Sequence, residues 1–274
     1  MIDPVRTLEH RGCALSYSVR GAGPPVLLIQ GVSAQGDAWG PQVDALAPRF
    51  ACLTFDNRGF SRSQPCAVPL TVEQMAEDAL ALVDAQGWPE VHVVGHSLGG
   101  SVALHLALER RARVRSLALL CTFARGRDAT RLTWRMFRLG MRTRIGTRRM
   151  RRRAFLEMVL PPAGLAGIDR DAEAERLAGL FGHDLADHPP VVSQQLAALS
   201  RYDATARLSE LAGLPTLVVS AVHDPISRPA SGQALASGIP GARLVVLPDA
   251  SHGVPLHDPA RINALLLEHL AAAR

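Results

Sequence analysis

Lysine is missing: all thirty basic residues of the 274-residue chain are arginine. Such a bias can follow from a G+C-rich genome and by itself says nothing about function. Cysteine is sparse, at Cys13, Cys52, Cys66 and Cys121, and no two form a Cys-x-x-Cys pair. Cys52 and Cys121 sit in apolar, strand-like runs and read as small core residues. The opening Met1-Ile2-Asp3-Pro4-Val5-Arg6 lacks a basic start followed by an apolar stretch, so no export signal is expected. Reduced thiols and a cytoplasmic location follow from that reading. No apolar run reaches the roughly 18 residues that a membrane span needs. Aromatic residues make up only 4% of the chain, which counts against a nucleic-acid partner that stacks on bases. There is no glycine-rich phosphate loop. His183 and His188 flank Asp184 and Asp187, but the spacing and Pro189-Pro190 do not suit a helical zinc pair. Neither metal nor cofactor is expected.

What is present is an alternation of apolar runs and helical stripes. Pro25–Gln30, Ala51–Phe55, Val91–Val94, Val114–Leu120, Thr216–Ser220 and Arg243–Leu247 are predicted strands. Several are apolar without a break, as in a parallel sheet covered on both faces. Cys13–Val19 alternates more and is predicted as an antiparallel edge strand. Thr71–Gln86 carries the clearest helical stripe, with a Thr71/Gln74 capping box and Gly87 as its stop. Leu98–Arg110, Ala230–Ala236 and Pro259–Ala273 are further predicted helices. The pattern implies an α/β fold with a doubly wound, mostly parallel sheet. Between Phe123 and Ala206 the alternation fails. Helices are expected there over 127–140, 148–159, 171–181 and 190–200, forming a helical cap (123–206) inserted into a core of 1–122 and 207–274.

The densest signal is Gly95-His96-Ser97-Leu98-Gly99, directly behind the run Val91–Val94. A serine on a very tight strand-to-helix turn is held clear of the sheet, and side chains at 95 and 99 would collide, so glycine occupies both. The serine alone is a weak nucleophile and needs a base. His252, in the loop after the run ending Leu247-Pro248, is the candidate base, with His257 and His223 as competitors. Asp224, after Thr216–Ser220, is the candidate orienting acid. Asp249 is its rival but lies too close in sequence to His252.

These residues resemble the α/β-hydrolase superfamily over almost the whole chain. The resemblance rests on Gln30-Gly31-Val32, the turn Asp56-Asn57-Arg58-Gly59-Phe60-Ser61-Arg62-Ser63, the elbow, and the order Ser, acid, His. That turn is similar to one in the subgroup of small carboxylesterases, enol-lactonases and haloperoxidase-like enzymes. Family members often carry His-Gly where this chain has Gln30-Gly31. The resemblance implies a serine hydrolase with a Ser97–His252–Asp224 triad, acting on a small ester or lactone through an acyl-enzyme. Perhydrolysis, thioester cleavage and carbon–carbon bond hydrolysis use the same scaffold, and a ligand-binding receptor without turnover is the non-enzymatic alternative. Backbone N–H groups of Val32 and Leu98 are the expected oxyanion hole, with Gly31 or Ser33 replacing Val32 if the loop is shifted. Asp56 and Arg58 read as a structural pair beneath the site. His96 either lines the pocket or packs on the sheet. Trp39, Phe123, Trp134 and Phe137 either wall an acyl pocket or are ordinary packing.

Residues 125–153 hold twelve arginines against one acid, Asp128. A solvated helix face, a grip on an anionic substrate or carrier phosphate, and contact with nucleic acid or an acidic membrane all fit such a run. The oligomeric state is open.

Overall fold

The strands, in chain order, are β1 (Arg6–His10), β2 (Cys13–Arg20), β3 (Pro25–Ile29), β4 (Ala51–Phe55), β5 (Val91–His96), β6 (Val114–Leu120), β7 (Thr216–Ala221) and β8 (Arg243–Leu247). In this computed structural model, which describes residues 5–66, 69–128 and 134–273, they form one sheet in the order β1-β2-β4-β3-β5-β6-β7-β8. The pairs β1/β2 and β2/β4 are antiparallel, and every pair from β4 to β8 is parallel. The carboxyl ends of β3, β5, β7 and β8 therefore open onto one edge, where sheets of this kind place ligands.

Period two along each strand divides its side chains between two apolar layers. Leu27, Ile29, Val93 and Leu119 point into one layer. Val26, Leu28, Val94 and Leu120 point into the other. The first layer is covered by α2 (Val72–Ala85), α3 (Leu98–Glu109) and α8 (Pro229–Gly238). The second is covered by α1 (Gly40–Leu46), the short α9 (Val254–His257) and α10 (Pro259–Ala272). Two covered faces explain why the central strands need no polar alternation. The Thr71 hydroxyl accepts the Gln74 amide at the start of α2, as its sequence predicts.

One expectation changes here, and two elements went unpredicted. Cys13–Val19 is antiparallel but not at the edge, because β1 lies outside it. The five residues of β1 are mostly polar and partly exposed, as suits an edge, and so carry no apolar signal. Helix α1 went unpredicted because it is only seven residues long and opens with Gly40-Pro41.

Between β6 and β7 lie α4 (Trp134–Arg142), α5 (Arg148–Val159), α6 (Arg170–Phe181) and α7 (Pro190–Arg201). The expected helix over 127–140 is shifted. Gly126–Asp128 forms a short 3-10 turn, and residues 129–133 lie outside the described residues, as do Met1–Pro4. Helices α5 and α6 share a separate apolar cluster with Ala34 and Ala38, which follow β3. Helix α7 behaves differently. Its Ala198 and Leu199, with Tyr202, join the main layer over α3. Among the described residues no helix is long and apolar enough to cross a membrane.

Candidate active site

Ser97 stands between β5 and α3 with φ 54° and ψ −121°, a backbone that an L-residue adopts only under constraint. Its surroundings supply that constraint. A Cβ on Gly95 would lie 2.3 Å from the Gly99 carbonyl oxygen, and one on Gly99 would lie 2.1 Å from that of Ile29. The Ser97 N–H donates to Leu120 O at 3.0 Å, and Thr122 Oγ1 donates to Ser97 O at 2.6 Å. β5 is flanked by β3 and β6, so the turn is gripped from both sides.

The side chain meets two others brought from distant parts of the chain. The hydroxyl of Ser97 donates to His252 Nε2 at 3.0 Å. On the far side of the ring, Nδ1–H donates to Asp224 Oδ2 at 2.7 Å. The other carboxylate oxygen, Oδ1, accepts the amides of Ile226 and Ser227 at 2.7 and 2.8 Å. Those bonds fix the anion's orientation, and the Asp224–Nδ1 bond fixes the imidazole tautomer that leaves Nε2 free to accept. Asp224 and Ser97 are buried, and His252 is 6% exposed. Burial, and after it the Asp224 carboxylate, pushes the neighbouring Cys121 thiol well above its ordinary range.

The loop carrying His252 is tied from three directions. Gly253 N–H donates to Val159 O of α5 at 2.8 Å, and His223 N–H donates to Ala250 O at 3.0 Å. The third tie is His96, whose Nε2–H donates to the His252 carbonyl at 2.9 Å. Its other edge packs on Trp39, with ring centroids 6.5 Å apart. Burial, and then the His252 ring, depresses the His96 pKa to about 3, so it stays a neutral donor.

After β3 the chain passes directly over the serine. A Cβ on Gly31 would sit 3.0 Å from Ser97 Cβ. In this loop Gly31 N–H donates to Gln30 Oε1 at 3.2 Å, and Ser33 N–H donates to Gln195 Oε1 of α7 at 3.0 Å. The Gln30 carbonyl accepts from Asn57 Nδ2 at 3.0 Å. Leu98 begins α3, so its amide has no acceptor one turn earlier in the helix.

The profile of the alpha/beta hydrolase fold family matches residues 24–259. The chain belongs to that family. A RutD protein of Azorhizobium caulinodans that bears the name carbamate hydrolase is 30% identical over 263 residues, covering 94% of this chain and 96% of the relative. A hydrolase from Pseudomonas aeruginosa superposes with a TM-score of 0.81 at 29% identity, covering 97% of this chain and 98% of its own. A thermophilic esterase from Thermogutta terrifontis gives 0.79 at 27% identity, with 98% and 97% covered.

The remaining expected site residues are scattered in this hydrolase. Trp39 and Phe123 are fully buried, one in each apolar layer. Trp134 and Phe137 stack on each other on the exposed side of α4. Asp56 and Arg58 do not pair. Arg58 holds Asp78 and the carbonyls of His10 and Arg11, while Asp56 receives Arg62 and the Gly36 amide. Asp249 pairs with Arg261, away from His252. His183 and His188 go to different partners, Ser33 and the Thr143 carbonyl. His183, which the sequence offers only as a metal candidate, and Gln195, which it does not single out, both hold Ser33. No local motif marks them, because their partner lies 150 and 162 residues away.

Proposed function

We propose that this hydrolase cleaves a carboxylic ester or lactone through an acyl-enzyme on Ser97. The observation that carries the reading is the unbroken chain Ser97 Oγ, His252, Asp224, with bonds of 3.0 and 2.7 Å. In the first half-reaction His252 Nε2 takes the Ser97 proton as Oγ bonds to the carbonyl carbon. The carbonyl oxygen becomes an oxyanion, stabilised by the N–H groups of Val32 and Leu98. Val32 is favoured over its neighbours because the Gly31 and Ser33 amides already have acceptors. The imidazolium, held by Asp224, then gives its proton to the departing alkoxide. In the second half a water loses its proton to His252, attacks the acyl carbon and releases the acid. Helices α5 and α6, whose apolar cluster includes residues of the loop after β3, serve as the cap that shapes the acyl pocket.

A second reading extends the substrate to a carbamate carbonyl, as the name of the Azorhizobium caulinodans relative suggests. The triad is compatible with both, since either carbonyl yields the same tetrahedral oxyanion. The test is a panel of p-nitrophenyl esters, lactones, thioesters and carbamates, run beside a fluorophosphonate label whose attachment site is mapped. The label is expected on Ser97. Ser97→Ala is expected to lower turnover by about 10⁴-fold or more with the fold intact. Turnover of every panel member unchanged in Ser97→Ala, or label on another residue, overturns the proposal.

A further inference from the structure

Helix α4 turns an apolar face outward. Trp134 is 72% exposed, and Phe137 stacks on it with ring centroids 5.5 Å apart and 22° between planes. Met141 is exposed one turn further on, and the spacing of the three residues puts them on one side of the helix. Leu139, which the helix buries, lies on the opposite side. Just beyond, Ile145 is 61% exposed, and the exposed Met150 lies over Gly146. A helix packed through one side and apolar on the other is covered by something in its working state.

Charge limits what that is. Eight arginines with described side chains run from Arg138 to Arg153. Glu157, Asp171, Asp184 and Asp187 pair with five of them. Among the described residues no carboxylate pairs with Arg138, Arg144 or Arg151. The patch stays positive even with every pair formed. A second copy of the chain would press two such fields together, and like charges oppose that. The occupant must be anionic and must accept apolar side chains in a row. Arg138 and Arg142 line a groove of about 240 Å³ with Trp134, Leu139 and Glu157, too small to seat a folded partner's element.

We propose that α4 and the start of α5 form a membrane-contact surface for anionic phospholipid. Trp134, Phe137 and Met141 enter the boundary between headgroups and acyl chains, while the flanking arginines meet phosphate oxygens. The guanidinium fork suits phosphate in this setting. The surface does not depend on the acyl chemistry at Ser97, so it is tested in the 274-residue chain carrying Ser97→Ala.

The experiment is co-sedimentation with vesicles of phosphatidylcholine alone and of phosphatidylcholine mixed with phosphatidylglycerol. Tryptophan quenching by brominated acyl chains is followed in parallel. Binding is expected only with phosphatidylglycerol, with quenching that Trp134→Ser removes. Each arginine near an anionic surface is worth about a fivefold change in partition. Arg138→Gln with Arg144→Gln is therefore expected to lower it by about 25-fold, with thermal unfolding unchanged because both side chains are exposed. Absence of binding to phosphatidylglycerol vesicles overturns the proposal. So does equal binding to both vesicle types. Two further results also overturn it when vesicle binding is absent: a dimer that Phe137→Asp dissolves, and retention on immobilised polyglutamate, which assigns the face to an acidic protein.

Discussion

The edge of the sheet and the α4–α6 segment are built by opposite means. At the edge each group has fixed partners and little room. Asp224 holds two amides and one imidazole, and Ser97 is wedged between Gly95 and Gly99. In α4–α6 and the turn after them the partners are shared and partly exposed. Asp171 serves Arg149 and Arg153, and Asp184 serves Arg148 and Arg152. Exposed pairs of this kind contribute little singly and exchange readily. Geometry that must hold a reacting atom in place is thus set by buried backbone, and the part facing outward is set by charge that tolerates rearrangement.

The largest expected difference comes from a single added methyl group at the edge. In Gly99→Ala the new Cβ would meet the carbonyl oxygens of Ile29 at 2.1 Å and Gln30 at 2.6 Å. Both are backbone atoms of the strand end that leads into the Gly31–Val32 loop, so neither can swing aside. Relief requires the loop and the elbow to separate. A displacement near 1 Å there is expected to cost about 10²-fold in kcat/KM, and the overpacking about 2–3 kcal/mol of stability. Steady-state kinetics and urea unfolding on the same preparation read both. Wild-type turnover in Gly99→Ala would show that the edge is not rigid, and the contrast would fall.

That same rigidity made the edge legible in the sequence. Glycine at 95 and 99, an apolar β5 and a small-residue α3 leave a local pattern, and Asp224 and His252 follow strand ends in the family's order. Five of the six parallel strands were readable because burial on both faces leaves long apolar runs, and the edge strand β8 because Leu244–Leu247 is apolar although partly exposed. What could not be read depended on distance. His183 and Gln195 reach Ser33 from the far side of the chain, and neither lies in a motif. Arg58 and Asp56 looked like a pair because they are two apart in sequence, yet each found a better-placed partner, Asp78 and Arg62. β1 and α1 were too short and too polar at their starts to show periodicity. The outward face of α4 was in the sequence as Trp134, Phe137 and Met141, but which side packs was not.

Acid should weaken the two regions in different pH ranges. His92 is buried in β5, hydrogen-bonded to Ser116 Oγ at 2.8 Å, and burial, then Arg115, lowers its pKa from 6.5 to about 4. His96 is lowered to about 3, again first by burial. A ring whose folded pKa lies below its unfolded value is protonated preferentially in the unfolded chain. Its contribution is complete above 6.5 and is lost as pH falls toward the folded value. Each ring contributes a slope of up to about 1.4 kcal/mol per pH unit in that range. Arg149, and then Arg153, lowers the Asp171 carboxyl. That contribution is present above the unfolded carboxylate pKa and is lost only below it, near pH 4. Urea unfolding between about pH 6.5 and about pH 4.5 should therefore report the buried histidines of the sheet and the helices packed on it, His105, His257 and His269 included, and not the Asp171 pairs. His92→Gln should flatten the slope, and Asp171→Asn should shift the curve without changing it. A slope unaltered by His92→Gln would break the assignment.

The smallest effect is the sharpest control on the comparison, because it repeats the first substitution with the opposite sign. Gly179 lies on the exposed side of α6, inside the helix, and a Cβ there meets nothing within 4 Å. Alanine loses less backbone freedom on folding than glycine and is the better helix former. Gly179→Ala is expected to stabilise by about 0.5–1 kcal/mol, seen as a rise of about 1–3 °C in Tm, with turnover of a small ester unchanged. A methyl group that costs stability at Gly99 and adds it at Gly179 would mean that packing, not glycine itself, decides the outcome. If Gly179→Ala lowered both Tm and turnover, α6 would be coupled to the site as tightly as the elbow is, and the division between a fixed edge and an adaptable helical segment would have to be redrawn.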